Sequence, residues 1–286
     1  PFKFAQEDLP LAPLTLYRVG GRARIALMPR TIEEACEAYR WMIAQPGPKL
    51  ILGAGSNVLI SDSGFPGTAL ITTRLNHIRA LGGDRYDAES GVPLETLVGG
   101  VMLTHNYEGV GGLAGIPGSV GGALFMNAGT VNGTICQWVE SVELIDRQGK
   151  RTVEIRPSDY GYRGQSFCPR GTLILSGRFR FQQSEQDQRA VYDHYIRRRR
   201  EKQPQGYCCG SVFKNPPNDH AARLIEACGL KGVRHGGAVI SPVHANFIMN
   251  EDNATSDDIL ALIRLCKERV KQQFGIVLEE EVVIIP

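Results

Sequence analysis

The sequence predicts an α+β protein built in two or three successive parts. Three observations predict it. Residues 13–73 alternate short apolar runs with one amphipathic helical pattern, residues 142–181 carry paired strand patterns about a polar turn, and residues 256–274 hold one long helix with its own stop. A chain of 286 residues can bury one large core or two to three smaller ones.

The elements follow in order. Residues 13–21 read as an extended segment ending in the Gly20-Gly21 turn. Thr31 and Glu34 have capping-box spacing and open a helix whose buried face is Ile32, Ala35, Cys36, Tyr39, Met42 and Ile43. The strand 49–52 runs straight into Gly53-Ala54-Gly55-Ser56-Asn57, and a second strand covers 69–73. Val58 stands where the last glycine of a dinucleotide fingerprint belongs, and no lysine completes a P-loop. What survives is a phosphate-cradling turn with Ser56 and Asn57 as side-chain donors.

A second part begins near Leu75. Pro93 opens a helix over 93–105 with Leu94, Leu97, Val98, Val101 and Met102 inward. Strands at 142–145 and 152–155 flank the turn 146–149, with further strands at 172–175 and 178–181, so this part is strand-rich and antiparallel. The polar run 182–188 marks a boundary. Beyond it a helix passes through Tyr192, Tyr195 and Ile196 and ends at Lys202-Gln203-Pro204, its Arg197–Arg200 run reading as a solvated helix end. The last part holds a helix at 221–228, a strand at 245–250, the helix 256–274 stopped by Gly275, and the closing apolar run 276–285.

The stretch 109–129 organises the chain. It holds eight glycines interleaved with Ile, Pro, Val, Leu, Phe, Met and Asn, which is unlike a linker. Such a run can aim successive N–H groups into a concave wall, and walls of that kind bind phosphate and diphosphate.

Composition excludes several classes. A formal net charge of +2 gives no polyelectrolyte argument for nucleic acid, and no apolar run reaches the length of a membrane span. Seven cysteines without C-x-x-C spacing fit a reducing cytosol rather than disulfides or zinc, and the six histidines form no metal motif. Pro1-Phe2-Lys3-Phe4 lacks a signal-peptide pattern, and a start at Pro1 is expected of a trimmed chain.

Three polar residues sit in unusual surroundings. Arg163 lies among aromatics and glycines in residues 160–167, Ser211 follows Gly210 and precedes Val212-Phe213, and Glu281 borders Val282-Val283-Ile284-Ile285. Each taken alone has an ordinary explanation: a turn arginine, a turn serine, a strand-edge glutamate.

Together with the glycine segments they form an ordered series. It includes Gly20-Gly21, Gly53 to Asn57, Gly115-Ile116-Pro117-Gly118, Asn127-Ala128-Gly129, Tyr162-Arg163 and Gly210 to Pro216. Leu224-Ile225-Glu226, Leu230-Lys231-Gly232, Ala245-Asn246-Phe247 and Leu278 to Val282 complete it. In these motifs the chain resembles the UDP-N-acetylenolpyruvoylglucosamine reductases nearly end to end.

That resemblance implies a two-part FAD-binding domain of the vanillyl-alcohol-oxidase type, residues 1–74 and 75–186. A C-terminal α/β substrate domain, 187–286, follows, its last strand returning to the active site. It implies FAD held non-covalently by Gly53, Ala54, Gly55, Ser56 and Asn57, and by Ile116, Pro117, Gly118, Ser119, Gly122, Asn127 and Ala128. NADPH is the implied hydride donor and UDP-N-acetylglucosamine enolpyruvate the substrate, in a cytoplasmic monomer of peptidoglycan synthesis that binds no nucleic acid, membrane or metal. Ser211 matches the proton donor, Arg163 the partner of the substrate carboxylate, and Glu281 a glutamate that orients or relays protons. Tyr162, Lys202, Asn215 and Lys231 are the implied sugar-nucleotide contacts.

Two departures bear on this. The interval from Ser211 to Leu230 is short, so the tyrosine-bearing loop of the longer class is absent. Cys208-Cys209 stands where small hydroxyl residues are usual; the pair either fills space or supplies an oxidisable thiol. His244, in residues 241–246, reads as a satisfied core histidine rather than a ligand. Two other readings stay open: a flavin oxidase of the same fold acting on a small alcohol or sugar, and a flavin or nucleotide-sugar binder without catalysis.

Overall fold

A computed structural model describes residues 2–286. They form two compact units, each discontinuous in sequence. The first contains the residues up to Glu7, Arg24–Ala54 and Pro66–Arg198; the second contains Asp8–Ala23, Gly55–Phe65 and Arg199–Pro286.

In the first unit the helix Ile32–Ala44 starts where its cap requires. Thr31 is extended and accepts the Glu34 N–H at 3.2 Å, while the Glu34 carboxylate accepts the N–H of Arg30, one residue outside the expected box. Its inner face, Ala35, Cys36, Ala38, Tyr39 and Met42, packs on Leu27, Leu70, Leu75 and Leu175. The strand Lys49–Leu52 pairs in parallel with Phe65–Ile71, Leu50 opposite Ala69. Both belong to a four-stranded sheet whose other members are Ala5–Pro10 and Arg22–Leu27. Neither of those was legible: Gln6-Glu7-Asp8 and the arginines at 22 and 24 break the apolar run that marks a strand.

The middle of the chain forms the expected antiparallel sheet. Its order is Gly149–Glu154, Val139–Asp146, Leu173–Arg180, Arg85–Glu89, Ile78–Gly82. The two short patterns at 172–175 and 178–181 are one strand, since Gly177 interrupts the apolar alternation without ending the pairing. The hairpin at 78–89 escaped sequence reading because its solvent face is charged. There Asp87 takes both Arg79 (2.7 Å) and Arg178 (2.8 Å). The inner face, with Val142, Leu144 and Phe179, shares a core with Leu97, Val120 and Leu124. The helix expected over 93–105 is shorter: an α-helical turn Leu94–Leu97 passes into a π-helical turn Val98–Met102. Gly99 and Gly100 are poor helix formers at that point.

The second unit has its own core, in which Tyr17, Val19 and Leu59 pack with Val212, Phe213, Ile225, Ile240, Ile259 and Val270. The segment expected to be extended over 13–21 is instead irregular, with a 3₁₀ turn at Ala12–Leu14. Ala238–Ile240 pairs with Arg234–His235 and Ile248–Asn250. The latter strand starts three residues later than expected, because Phe247 N–H closes a turn onto His244 C=O at 3.0 Å. Val283–Ile285 pairs in parallel with Val58–Ile60.

The helix Ser256–Phe274 ends at left-handed Gly275 (φ 71°) and begins with a full capping box. Thr255 Oγ1 accepts the Asp258 N–H at 3.1 Å, and Asp258 Oδ2 accepts the Thr255 N–H at 2.9 Å. The second bond holds the Asp258 carboxyl below its ordinary range. Thr255→Ala is expected to destabilise the protein by about 1 kcal/mol in chemical unfolding. A lowered folded pKa means that the Asp258 contribution is complete above about pH 4 and is lost as pH falls through the folded value. The melting-temperature gap between the parent and Asp258→Asn should therefore shrink in acid; a gap that widens in acid would contradict the assignment.

Candidate functional site

The glycine segments of the first unit come together. A Cβ on Gly53 would lie 2.6 Å from Ser119 Oγ, so the turn after Lys49–Leu52 reaches residue 119 only because residue 53 lacks a side chain. The run 109–129 is not a succession of turns throughout. It folds as two short helices, Val110–Leu113 and Val120–Met126, joined through left-handed Gly115 (φ 67°). Ser119 caps the second helix, accepting the Gly122 N–H at 3.4 Å. Among the described residues no acceptor takes the amide hydrogens of Gly53, Ala54, Gly118 or Ser119. Ser119 is only 1% exposed, and a buried N–H without an acceptor is rare unless a ligand completes it. These amides suit the diphosphate of a dinucleotide. Ile116, Gly118 and Ala128 are half-buried, whereas Pro117 and Gly122 are exposed.

Asn127 has a structural task. It ends the helix Val120–Met126 in the left-handed region (φ 43°), where asparagine is better tolerated than most residues. Its Nδ2 donates to Gly161 C=O at 2.7 Å and its Oδ1 accepts the Cys136 N–H at 3.4 Å. The side chain is therefore committed to backbone. It anchors the small hairpin Tyr160–Gly161 and Gly164–Gln165, whose two-residue tip is Tyr162-Arg163. Arg163 is itself left-handed (φ 53°), donates from Nη1 to Gly129 C=O at 3.0 Å, and lies 5.5 Å from the centre of the Tyr162 ring. Tyr162 is 63% exposed.

In the second unit, Ser211 and Glu281 sit on neighbouring segments. Glu281 N–H donates to Val212 C=O at 2.8 Å, Lys214 N–H to Glu279 C=O at 2.9 Å, and Phe213 bridges Glu280. Gly210, at φ 73°, sets the turn that leads into half-buried Ser211. Asn57 Nδ2 donates to Glu281 C=O at 3.0 Å, so this asparagine, expected at the cofactor, ties down the glutamate's backbone. Gly55 is required by packing as well as by its φ of 63°, since a Cβ there would lie 2.0 Å from Leu14 C=O. Ser56 is half-buried beside it.

The remaining candidates are spread over the second unit's surface. Lys202 is the exposed last residue of the helix Gln188–Lys202. Asn215 Oδ1 accepts the Ala221 N–H at 3.1 Å, and Lys231 pairs with Glu226 at 2.9 Å. His244 is half-buried, with its hydrogen bonding met by neighbouring residues. Its Nδ1 accepts the Asn246 N–H at 3.3 Å, its ring meets Phe247 edge-on at 4.8 Å, and burial lowers its pKa. Sequence reading missed Asn246 as a structural residue: it is 3% exposed and bonds the backbone of Phe213. Only its place in the Ala245-Asn246-Phe247 motif hinted at it. No group of His, Cys, Asp and Glu able to hold a metal occurs among the described residues, and no described helix is long and apolar enough to cross a membrane.

Comparisons with known proteins bear on both units. Residues 23–153 match an FAD-binding domain family, and residues 202–285 match the C-terminal domain family of UDP-N-acetylenolpyruvoylglucosamine reductase. A UDP-N-acetylenolpyruvoylglucosamine reductase of Prochlorococcus marinus (strain MIT 9313) is 40% identical, over 97% of this chain and 92% of its own length. One from Shouchella clausii (strain KSM-K16) is 37% identical, over 98% and 90%. The crystal structure of UDP-N-acetylenolpyruvylglucosamine reductase from Thermus caldophilus superposes with a TM-score of 0.84 at 32% identity, covering 99% of this chain and all of that one.

Cys208 and Cys209 precede the Gly210 turn. Cys209 is 4% exposed, and its single S–H has Val58 C=O (3.4 Å) and Gly55 C=O (3.9 Å) within reach as acceptors. Burial pushes its thiol up to about 12 and raises that of Cys208 as well. A thiol held protonated is a poor nucleophile. The geometry favours the space-filling role over the oxidisable one. Iodoacetamide at pH 8 is expected to label both residues far more slowly in the native protein than after unfolding; rapid native labelling of either would restore the redox reading.

Proposed function

Because this chain belongs to the UDP-N-acetylenolpyruvoylglucosamine reductase family, we propose that Ser211, Arg163 and Glu281 carry the chemistry of that reaction. The reaction is the FAD-dependent, NADPH-driven reduction of UDP-N-acetylglucosamine enolpyruvate to UDP-N-acetylmuramate, a step of peptidoglycan synthesis. When bound, FAD would supply the hydride-carrier chemistry between NADPH and the enolpyruvyl carbon. The adjacent carbon then becomes carbanion-like and must gain a proton.

Ser211 supplies that proton. A hydroxyl is a weak acid, but the acceptor carbon is strongly basic, so placement counts for more than a low pKa. Glu281, bonded through its own N–H to the residue after Ser211, orients that hydroxyl or relays its proton. The bond between Val212 C=O and Glu281 N–H is the observation that carries this reading. Arg163 pairs with the substrate carboxylate, where a planar guanidinium can engage two oxygens and stabilise charge delocalising into them. Its tethered hairpin suits a residue that must arrive at a fixed angle.

Tyr162, Lys202, Asn215 and Lys231 are our sugar-nucleotide contacts. Lys231 would exchange Glu226 for phosphate. FAD is held by the amides of Gly53, Ala54, Gly118 and Ser119, and Gly55, Ser56, Asn57, Ile116, Pro117, Gly122, Asn127 and Ala128 are our further cofactor contacts. We divide the chain into FAD-binding subdomains 1–74 and 75–186 and a substrate domain 187–286. Three separate hydrophobic cores support three parts: one centred on the helix Ile32–Ala44, one on the antiparallel sheet, and one on the helix Ser256–Phe274. Unpaired cysteine thiols and the modest net charge fit a cytoplasmic monomer that binds no nucleic acid.

Ser211→Ala should lower sugar-dependent NADPH turnover by about 10²–10⁴-fold while NADPH still bleaches the flavin at the parent rate. Unchanged turnover would remove Ser211 from the chemistry, and flavin reoxidised rapidly by oxygen regardless of the sugar would favour an oxidase. Arg163→Lys should cost about 10- to 100-fold in kcat/KM for the enolpyruvyl sugar, the worth of a charge-assisted hydrogen bond. Steady-state kinetics over sugar concentration reads it, and an unaltered kcat/KM would place the carboxylate elsewhere.

A further inference from the structure

Ser211 leads into a tightly held backbone segment, and one buried side chain makes two of the bonds that hold it. Asn246 Oδ1 accepts the Phe213 N–H at 2.9 Å, and its Nδ2 donates to Phe213 C=O at 2.8 Å. Its own C=O accepts the Val212 N–H at 2.9 Å. On the opposite edge Val212 C=O accepts from Glu281 N–H (2.8 Å) and Val282 N–H (3.3 Å). The two residues after Ser211 are thus fixed on both sides, as in the middle of a sheet, although no regular strand runs there. Upstream, buried Cys209 is anchored against Val58 and Gly55, and only the Gly210 turn separates it from Ser211. Gly210 is left-handed, and a Cβ on it would touch nothing within 4 Å. On its downstream side the backbone that carries the Ser211 hydroxyl is fixed by Asn246, Glu281 and Val282 together.

We propose that Asn246 is a positioning residue for Ser211, holding the Val212-Phe213 backbone in the register that delivers the hydroxyl proton to the substrate carbon. This rests on the reading of Ser211 as proton donor. The site needs one acceptor and one donor on a short, flat side chain, which only asparagine offers. Aspartate keeps the acceptor and sets a second oxygen against Phe213 C=O. Serine is too short to serve both backbone groups.

Asn250 provides the control. It is 8% exposed and lies four residues further on in the same unit. Its Nδ2 donates to Tyr17 C=O at 2.8 Å and its Oδ1 accepts the Ala254 N–H at 2.8 Å. The chemistry is the same, but Asn250 bonds neither Val212 nor Phe213.

The test separates the two half-reactions of the FAD-loaded enzyme by anaerobic stopped-flow, alongside thermal unfolding. Asn246→Ser and Asn246→Asp should slow flavin reoxidation by the enolpyruvyl sugar about 10- to 100-fold, the cost of a misplacement near 1 Å. Flavin reduction by NADPH should stay within about twofold of the parent. Asn250→Ser should lower the melting temperature without that selective slowing. In a Ser211→Ala background, Asn246→Ser should add no further slowing, because the hydroxyl it positions is gone. Equal slowing of both half-reactions, the same selective slowing in Asn250→Ser, or a full additional loss on top of Ser211→Ala would each overturn the proposal. Asn246→Asp keeps the side-chain volume and so serves the test if the serine variant does not fold. Parent-like reoxidation in Ser211→Ala alone would refute the proton-donor reading instead.

Discussion

The hydrogen bond from Glu281 N–H to Val212 C=O is the constraint on which the proposed role of Ser211 depends. It joins two segments nearly seventy positions apart and fixes the backbone on which one acid and one hydroxyl are carried. A backbone bond of this kind is hard to lose by substitution, because it does not depend on which side chains flank it. Asn57 and Asn246 extend it on either side, each bonding main chain rather than solvent. Buried asparagines used in this way are costly unless every polar atom finds a partner, and Asn246 meets that requirement through Phe213.

The first unit applies the same economy to its glycine segments. Gly53 is needed for the approach to Ser119, and the amides left without acceptors on both segments are what a diphosphate requires. Asn127 holds the hairpin of Arg163 with both of its amide atoms. Asn57 and Asn127, both expected at the cofactor, thus also bond backbone with their side chains. A motif residue can be needed for the frame that presents the chemistry rather than for the chemistry.

Legibility in the sequence followed physical cause. The helices at 32–44 and 256–274 were readable because cap, apolar stripe and stop agree at each. The turn at 146–149 was readable for the same kind of reason. Strands 5–10 and 78–89 were not, since their exposed faces carry charge that conceals the alternation. The helix from Pro93 was overdrawn because its pattern continues beyond Gly99-Gly100, where the backbone widens. Of the residues proposed to carry the chemistry, Ser211, Arg163 and Glu281 were identifiable by their odd surroundings. Asn246 was not: nothing in a sequence shows that a side chain will close two backbone bonds of a residue thirty-three positions away.

A crystal structure of the FAD-loaded enzyme with UDP-N-acetylglucosamine enolpyruvate would test the central claim most directly. The account predicts Ser211 Oγ at about 3–3.5 Å from the carbon that gains the proton, with the Val212–Glu281 backbone bond intact beneath it. A substrate bound with that carbon facing away from Ser211, or a site in which the two segments have separated, would contradict it.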